Sequence, residues 1–237
     1  MKEVDTSRLD VDTKINKGFI HRDYLAHLLR WNFVLRFIKI NSVMLDVGCA
    51  DGQLAHFISV NRVKPALYVG VDINNHQLKN FKKRQLTFKP ELIQMDIRKK
   101  KIPCPDNSFD IVCCFEVIEH FEKKYINFPL KEMKRILKAD GMLLLSTPNY
   151  DGKHRAAGHI YEYTETELEG ILNKHFIIEK KYGTFASQTD IKSVLNECEK
   201  KLFDCLKEYY YSHMLAIIFA SLYPSVSRNI LWVLKNL

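Results

Sequence analysis

Short apolar segments alternate with segments of helical spacing between residues 43 and 146 of the 237-residue chain. Strands buried on both faces of a parallel sheet carry few polar residues, because helices cover both faces. The apolar segments predict five strands, over residues 43–47, 66–73, 91–97, 109–115 and 141–146. The intervening segments predict helices over residues 53–60, 76–83 and 129–137. This alternation is typical of a doubly wound α/β fold with a mostly parallel sheet.

The segments on either side of this core also carry clear patterns. Residues 19–38 have apolar side chains at helical spacing and predict an N-terminal helical cap over residues 1–40. After residue 149, the capping box from Thr164 to Glu167 predicts a helix over residues 164–172. Two further strands, predicted over residues 176–182 and 229–234, would bring the sheet to seven strands. Between these two strands, residues 190–211 predict one long helical insertion.

The composition and charge narrow the class of protein. Apolar residues make up 46% and charged residues 27% of the chain, which excludes disordered and low-complexity proteins. No flexible linker interrupts the sequence, so we predict a single domain over residues 1–237, with the cap, a core over residues 41–150 and a C-terminal region over residues 151–237. A formal net charge of +8 favours an anionic partner, nucleic acid included, although only weakly.

The cysteines and the apolar segments bear on localisation. The six cysteines form no CxxC pair, which indicates reduced thiols and argues against a structural zinc site. The N-terminus lacks the apolar stretch of a secretion signal. The apolar segment over residues 214–222 is far shorter than the roughly 20 residues that cross a bilayer as a helix. We expect a cytoplasmic protein without a transmembrane segment; the sequence leaves its oligomeric state open.

Glycines and acids follow the predicted strands at the positions where a ligand binds in an open parallel sheet. Ligands of such sheets occupy the crevice beyond the carboxyl ends of the strands. Gly48 and Gly52 permit a tight turn after the first strand, and Asp72 ends the second strand, where a carboxylate can accept both hydroxyls of a ribose. Two ligand classes fit this arrangement, namely dinucleotides and S-adenosylmethionine.

The charge of the turn favours the second class. The turn contains an acid, Asp51, and the preceding strand contains Asp46. Carboxylates would repel a diphosphate, whereas they attract the ammonium and sulfonium groups of S-adenosylmethionine. A dinucleotide site would also need the G-x-G-x-x-G pattern, which this turn lacks.

Four segments in this order resemble the motifs of class I S-adenosylmethionine-dependent methyltransferases: VMLDVGCADG, VGVDI, QMDI, and SFDIVCCFEVIEH followed by GMLLLSTPN. The resemblance covers about residues 42–150. It implies a Rossmann-like fold, a donor-binding core, a helical cap that closes over the donor, and an acceptor site shaped by residues 151–237. It also implies donor-binding roles for a set of residues. These residues are Asp46, Gly48, Cys49, Ala50, Asp51, Asp72, Ile73, Asp96, Ile97 and Phe115.

Within this resemblance, Asp72 holds the ribose and Ile73 packs on the adenine. Asp96 and Ile97 read the adenine amino group. Ala50 departs from the glycine that the family more commonly has in the middle of the turn.

Ionisable side chains also follow the fourth strand. At helical spacing Glu116, Glu119 and His120 would share a face and converge. Such a cluster fits either a metal site with oxygen and nitrogen ligands or an acid and base pair that takes the proton of the acceptor. We expect Glu116, Glu119 and His120 to be catalytic.

Similar Glu-x-x-Glu-His strings occur in two branches of the resembled family. In the small-RNA 3′-terminal 2′-O-methyltransferases, the string and a later histidine, here His159, bind a divalent metal. In the ubiquinone-biosynthesis and small-molecule branches the string lines the pocket without an obligatory metal. The sequence therefore leaves three functions open: methyl transfer to a small polar metabolite, a glycan or a modified nucleotide; metal-dependent methyl transfer to RNA or another nucleic acid; and an inactive donor-binding partner subunit.

Overall fold

The structure is a computed structural model, and it describes residues 22–153, 155–210 and 212–236. The side chains of residues 22–25, 212 and 213 lie outside the description. Residues 19–21 of the predicted cap helix, His21 among them, are likewise outside the described residues.

The first half of the described chain alternates helices and strands. The order is α1 (Arg22–Phe37), β1 (Val43–Val47), α2 (Gln53–Val60), β2 (Leu67–Asp72), α3 (Asn75–Phe81), β3 (Glu91–Gln94) and β4 (Phe109–Phe115). After β4 come two short 3-10 helices, Ile118–His120 and Lys123–Tyr125. β1, α2 and β4 have the predicted bounds, whereas β3 ends at Gln94, three residues before the predicted end.

The second half completes the sheet and adds a helical segment. It comprises α4 (Asn127–Ile136), β5 (Leu137–Pro148), α5 (Glu165–Leu172), β6 (Phe176–Phe185), α6 (Gln188–Val194), α7 (Glu197–Leu206), α8 (Ser212–Ala220) and β7 (Asn229–Asn236). Thr164 caps α5, since its hydroxyl accepts the Glu167 N–H at 3.2 Å. The predicted capping box is only half formed, because the Glu167 carboxylate accepts the Tyr161 hydroxyl instead of the Thr164 N–H. The predicted insertion over residues 190–211 is helical, but it is not continuous, because α6 and α7 divide this range and α8 follows it.

The sheet has seven strands in the order β3-β2-β1-β4-β5-β7-β6. The first five strands pair in parallel, and β7 lies antiparallel between β5 and β6. The fold is therefore the predicted doubly wound, mostly parallel one. Because β1 to β5 run parallel, their carboxyl ends form one edge of the sheet, at which the loops after β1, β2 and β4 meet.

The helical insertion, residues 186–220, carries a small apolar core of its own. Ile191, Leu195, Phe203 and Phe219 are buried together. α7 begins with a complete capping box, in which Asn196 and Glu199 each accept the backbone N–H of the other. The insertion docks on the edge strand β6 at Gly183, whose position leaves no room for a side chain.

None of the helices in the described ranges combines the length and the apolar composition of a membrane-spanning segment.

Gly183→Ala tests the docking of the insertion on β6. A Cβ atom at residue 183 would lie 2.1 Å from the Ala220 carbonyl oxygen and 1.8 Å from the Ser227 hydroxyl oxygen. Because backbone has to move, we expect a loss of roughly 2–3 kcal/mol in the free energy of unfolding, measured by urea denaturation. Gly170→Ala is the matched control. A Cβ at that helical glycine meets no atom within 4 Å, so a gain of about 0.5–1 kcal/mol is expected. Equal effects of the two substitutions would contradict the tight docking.

Candidate functional site

A cavity of about 430 Å³ opens at the carboxyl edge of the sheet. Its volume is within the range of small-molecule pockets. Its wall is formed by the turn after β1, the ends of β2 and β4, the segment after β3 and two side chains of α1. All ten predicted donor-binding residues line it: Asp46, Gly48, Cys49, Ala50, Asp51, Asp72, Ile73, Asp96, Ile97 and Phe115. Among the predicted catalytic residues, Glu116 and His120 line the cavity.

The turn after β1 has a left-handed backbone at three alternate residues. Gly48, Ala50 and Gly52 have φ angles of 73°, 45° and 83°. Glycine takes this conformation without penalty, whereas alanine is strained by roughly 1–2 kcal/mol. This strain gives a physical reason why a glycine at position 50 would suit the turn better. At Gly48, a Cβ atom would also lie 2.3 Å from the Cγ2 of Val117, another residue of the cavity wall.

The backbone N–H groups of the turn are used inside the protein. The N–H groups of Gly48 and Cys49 both donate to the Val71 carbonyl oxygen, at 2.8 and 3.1 Å. The N–H of Ala50 donates to the Asp72 carboxylate at 2.9 Å. A diphosphate site at such a turn relies on free N–H groups that point at the anion. These three groups are therefore not available to bind a diphosphate.

Asp46 is a buried acid whose charge depends on its surroundings. It is 5% exposed, and its carboxylate accepts the Tyr68 hydroxyl at 2.5 Å. Burial raises the pKa of Asp46 to about 7, the Tyr68 hydrogen bond opposes this rise, and the negative Asp72 adds to it. A cation bound next to Asp46 would favour the ionised carboxylate.

Two of the other acids in the wall are paired with arginines. The Asp51 carboxylate lies 2.6 Å from the Arg84 guanidinium. Asp96 accepts two hydrogen bonds of 2.8 Å from Arg98, and this pairing lowers the pKa of Asp96. The sequence predicts that Asp51 attracts the cationic groups of the ligand, whereas in the structure its charge is largely neutralised by Arg84, 33 positions away.

Glu116 holds four elements together at the edge of the sheet. One oxygen accepts the Arg30 guanidinium at 3.2 Å and the Ser146 hydroxyl at 2.8 Å. The other accepts the Asn229 amide at 2.7 Å. Glu116 itself has a left-handed φ of 55° and precedes the 3-10 helix that begins at Ile118. The predicted convergence of Glu116 with Glu119 and His120 on one helical face is therefore absent.

Glu119, His120 and His159 converge instead. One ligand-type atom from each lies within 4.8 Å of the others. Glu119 is fully buried; its Oε2 accepts the Thr147 hydroxyl at 3.0 Å, while its Oε1 has no hydrogen-bond partner among the described residues. Burial, together with the nearby Glu116 charge, raises the pKa of Glu119 well above its usual range.

Hydrogen bonds orient both imidazole rings of this cluster. The Nδ1 of His120 donates to the Gly158 carbonyl oxygen at 3.1 Å, and the Nδ1 of His159 donates to the Glu162 carboxylate at 2.6 Å. Burial works against ionisation of Glu162, but the hydrogen bonds from His159 and from the Ala156 N–H, together with the positive charge of Arg228, outweigh it and lower the pKa of Glu162. With Nδ1 engaged, Nε2 is the nitrogen that each ring has left to offer.

Several residues of the site carried no signal in the sequence. Tyr68 and Asn229 each lie in an apolar strand, and their polar groups turn out to bind Asp46 and Glu116. Arg84 and Arg98 lie in runs of basic residues that are typical of solvated surface. His27 and Trp31 of α1 line the cavity; their place in an amphipathic helix before the core indicated a cap but not which side chains face inward.

The cavity suits an adenosyl compound with a cationic end. Asp72 stands at the end of β2, where a ribose carboxylate is expected. Ile73 offers an apolar surface at the rim and is 56% exposed. The lining also contains the acids Asp46, Asp51 and Glu116, and its one Lys or Arg among the described residues is Arg98. This donor set fits S-adenosylmethionine.

Comparison with known proteins agrees with this assignment. Residues 45–145 match the family described as "Methyltransferase domain". The chain is 28% identical over 136 residues to the ubiquinone biosynthesis O-methyltransferase of Haemophilus ducreyi, covering 53% of this chain and 54% of that protein. Two probable S-adenosylmethionine-dependent methyltransferases of Mycobacterium tuberculosis match over 108 residues at 29% identity, 45% of this chain and 35% of theirs. The chain thus matches about half, or less, of the length of these relatives.

Solved structures share the fold. A SAM-dependent methyltransferase from Archaeoglobus fulgidus superposes with a TM-score of 0.62 at 16% identity, covering 91% of this chain and 95% of that one. This likeness concerns the fold, whereas the family match concerns the residues of the core. Residues 45–145, which carry the turn, Asp72 and Asp96, are therefore similar to the methyltransferase domain family, and the chain has the fold of a class I, S-adenosylmethionine-dependent methyltransferase.

Proposed function

We propose that the protein transfers a methyl group from S-adenosylmethionine to an acceptor that its C-terminal region helps to select. When bound, S-adenosylmethionine supplies a methyl group on a positively charged sulfur, and transfer of that methyl to a nucleophilic atom leaves S-adenosylhomocysteine. The observation that carries this proposal is the wall of the cavity, where acids face the ligand and the N–H groups of Gly48, Cys49 and Ala50 are already engaged. Such a wall accepts a cation and disfavours a diphosphate.

The residues of the cavity have distinct roles in this proposal. Asp72 holds the ribose, and its carboxylate is fixed in place by the N–H groups of Ala50 and Asn74, at 2.9 and 2.7 Å. Ile73, Ile97 and Phe115 supply apolar contacts. Asp46 compensates the charge of the cationic end of the ligand. Positioning the acceptor against the methyl group supplies much of the rate in a displacement of this kind.

His120 is the group we propose to take the proton of the acceptor. It lines the cavity, and its Nδ1 is engaged with Gly158, so its Nε2 can accept a proton. Glu116 is already engaged by Arg30, Ser146 and Asn229 through both oxygens. We therefore assign Glu116 a positioning role. Glu119, which does not line the cavity, belongs to the second candidate described below.

Titration with S-adenosylhomocysteine by calorimetry tests donor binding. We expect the wild-type chain to bind, and Gly48→Ala to weaken binding at least about tenfold, because the added Cβ displaces Val117 from its place in the cavity wall. Gly152→Ala is the matched control: its φ of 81° is also left-handed, but a Cβ there meets no atom within 4 Å.

Two outcomes would contradict the proposal. Binding of NAD in place of S-adenosylhomocysteine would indicate an oxidoreductase. Tight binding of S-adenosylhomocysteine without transfer of labelled methyl to any fraction of metabolites, glycans or nucleic acids would indicate an inactive donor-binding subunit. Transfer to one fraction identifies the class of acceptor.

The raised pKa of Asp46 gives donor binding a pH dependence. Because the pKa is about 7 instead of near 4, the carboxyl is mostly protonated at pH 6 and mostly ionised at pH 8. A cationic ligand prefers the ionised form, so we expect affinity for S-adenosylmethionine to rise by about tenfold from pH 6 to pH 8. Asp46→Asn keeps an oxygen for Tyr68 and removes the charge. Its affinity should change with pH only as far as the ligand itself titrates, and a rise equal to that of the wild type would rule out Asp46 as the cause.

A second candidate function is methyl transfer that needs a divalent cation. Three observations favour it: the convergence of Glu119, His120 and His159, the buried and unpartnered Oε1 of Glu119, and the orientation of both rings through their Nδ1 atoms. A carboxylate that holds the far nitrogen of a metal-binding histidine, as Glu162 holds His159, is typical of such sites. A cation there would hold oxygen atoms of an acceptor such as the ribose hydroxyls at the end of an RNA.

Titration with Mn²⁺ alone tests this candidate. We expect the wild-type chain to bind Mn²⁺ and His159→Gln to weaken that binding at least about tenfold, because one of the ligands is lost. His76→Gln, an exposed histidine on α3, is the control and should behave as wild type. Equal Mn²⁺ affinity in the wild type and His159→Gln, or methyl transfer unaffected by a chelator, would exclude the cation.

A further inference from the structure

Helix α1 contributes two side chains to the wall of the cavity, His27 and Trp31. The rings of His27 and Trp31 are in contact, with centroids 5.5 Å apart, and Trp31 packs on Phe57 of α2 at the same distance. α2 directly follows the turn at residues 48–52, and Arg30 of α1 pairs with Glu116 directly after β4. These two contacts place His27 and Trp31 on the side of the cavity formed by β1 and β4.

Arg30 determines which nitrogen of His27 carries the proton. The guanidinium NH2 group of Arg30 lies 2.9 Å from the Nδ1 of His27. An arginine has no acceptor atom, so Nδ1 accepts and the proton of the neutral ring is on Nε2. Burial and the positive charge of Arg30 lower the pKa of His27 well below its usual range, which keeps the ring neutral. His27 therefore has one N–H donor, at Nε2.

The position of Arg30 is itself fixed from the sheet. Its side chain is 3% exposed and pairs with Glu116 at 3.2 Å. Ser146 of β5 and Asn229 of β7 hold the Glu116 carboxylate. The sheet thus holds Glu116, Glu116 holds Arg30, and Arg30 holds the Nδ1 of His27 in the cavity wall. A donor held in this way is preorganised, because little orientation is lost when a ligand binds.

The elements around the cavity indicate which end of the ligand His27 faces. With the ribose at Asp72 after β2 and the adenine at Asp96 after β3, the amino-acid end of the donor lies over β1 and β4. Asp46 offers that end a negative charge for the ammonium group. The α-carboxylate of the same end needs an N–H donor, and the N–H groups of Gly48, Cys49 and Ala50 are engaged within the protein.

We propose that the Nε2–H of His27 donates a hydrogen bond to the α-carboxylate of the bound methyl donor, with Arg30 and Glu116 as the residues that position it. The proposal rests on the proposed function, since it concerns the same cavity. It gives the cap helix a recognition role in addition to covering the donor, and it gives Glu116 a positioning task that does not involve the acceptor.

Two ligands separate this role from a merely structural one. S-Adenosylhomocysteine carries the α-carboxylate, whereas 5′-methylthioadenosine lacks the whole amino-acid end and keeps the adenosine and the sulfur. For His27→Phe, which retains a ring against Trp31, we expect S-adenosylhomocysteine to bind about tenfold more weakly and 5′-methylthioadenosine to bind as in wild type, both by calorimetry. His27→Gln keeps an N–H near the position of Nε2 and should recover part of the lost affinity.

The outcomes can be told apart. If His27→Phe weakens both ligands equally, or weakens neither, His27 does not bind the carboxylate and the proposal is overturned. Normal binding of 5′-methylthioadenosine by the variant also shows that the variant folds with its cavity intact. If the wild-type chain binds neither ligand, the proposed function fails before this inference is reached.

Discussion

The arrangement of the site depends on the hydrogen bonds and the ion pair that the Glu116 carboxylate makes. It lies at the end of β4 and accepts hydrogen bonds from the cap helix, from β5 and from β7. Glu116 is half-buried and Arg30 is buried, so removing one member of this pair leaves a charge with little solvent to compensate it. The contacts of Glu116 therefore couple the position of the cap helix to that of the two strands on the C-terminal side of the sheet.

Charge and backbone geometry together explain the selectivity of the cavity. The turn after β1 resembles that of a dinucleotide-binding protein in position, but its N–H groups donate to Val71 and Asp72 instead of pointing outward. The acids around it are in different states. Asp51 and Asp96 are paired with arginines, whereas Asp46 has only a tyrosine hydroxyl and remains able to respond to a ligand. The uncompensated negative charge is thus concentrated where a cationic group would lie.

The pattern of apolar and polar residues predicted most of the fold, because buried parallel strands are continuous apolar segments and amphipathic helices have apolar residues at helical spacing. β4 has the bounds that its apolar residues predict. β5 begins at Leu137 instead of residue 141, because Leu137, the last residue of the predicted helix, pairs with Phe109 of β4 ahead of a register shift in this ladder. The insertion is helical as predicted, but its division was not predicted: Leu195 ends α6 in extended conformation and Asn196 starts a new capping box.

The sequence predicts which residues line the site, but it does not predict which hydrogen bonds and ion pairs those residues make. The residues that line the cavity follow from strand ends and from the family resemblance. The left-handed backbone of Glu116, in contrast, accompanies contacts with residues 86 and 113 positions away in the chain, and no local pattern encodes such contacts. The same holds for the pairing of Asp51 with Arg84. His159 joins Glu119 and His120 because the backbone N–H groups of Ile160 and Tyr161 donate to the Glu119 carbonyl oxygen, an anchoring that sequence spacing does not reveal.

The place of β7 in the sheet has a consequence for the order of assembly. This strand is synthesised after every other strand of the described sheet, yet it inserts between β5 and β6 and begins with Asn229, which binds Glu116. During translation, β1 to β5 can pair as they emerge, but β6 has no neighbour in the sheet until β7 arrives. The last of these seven strands to be made therefore completes both the sheet and the hydrogen bonds of Glu116. A chain interrupted before residue 229 would keep the Arg30–Glu116 pair but would lack the Asn229 contact that helps to hold the Glu116 carboxylate.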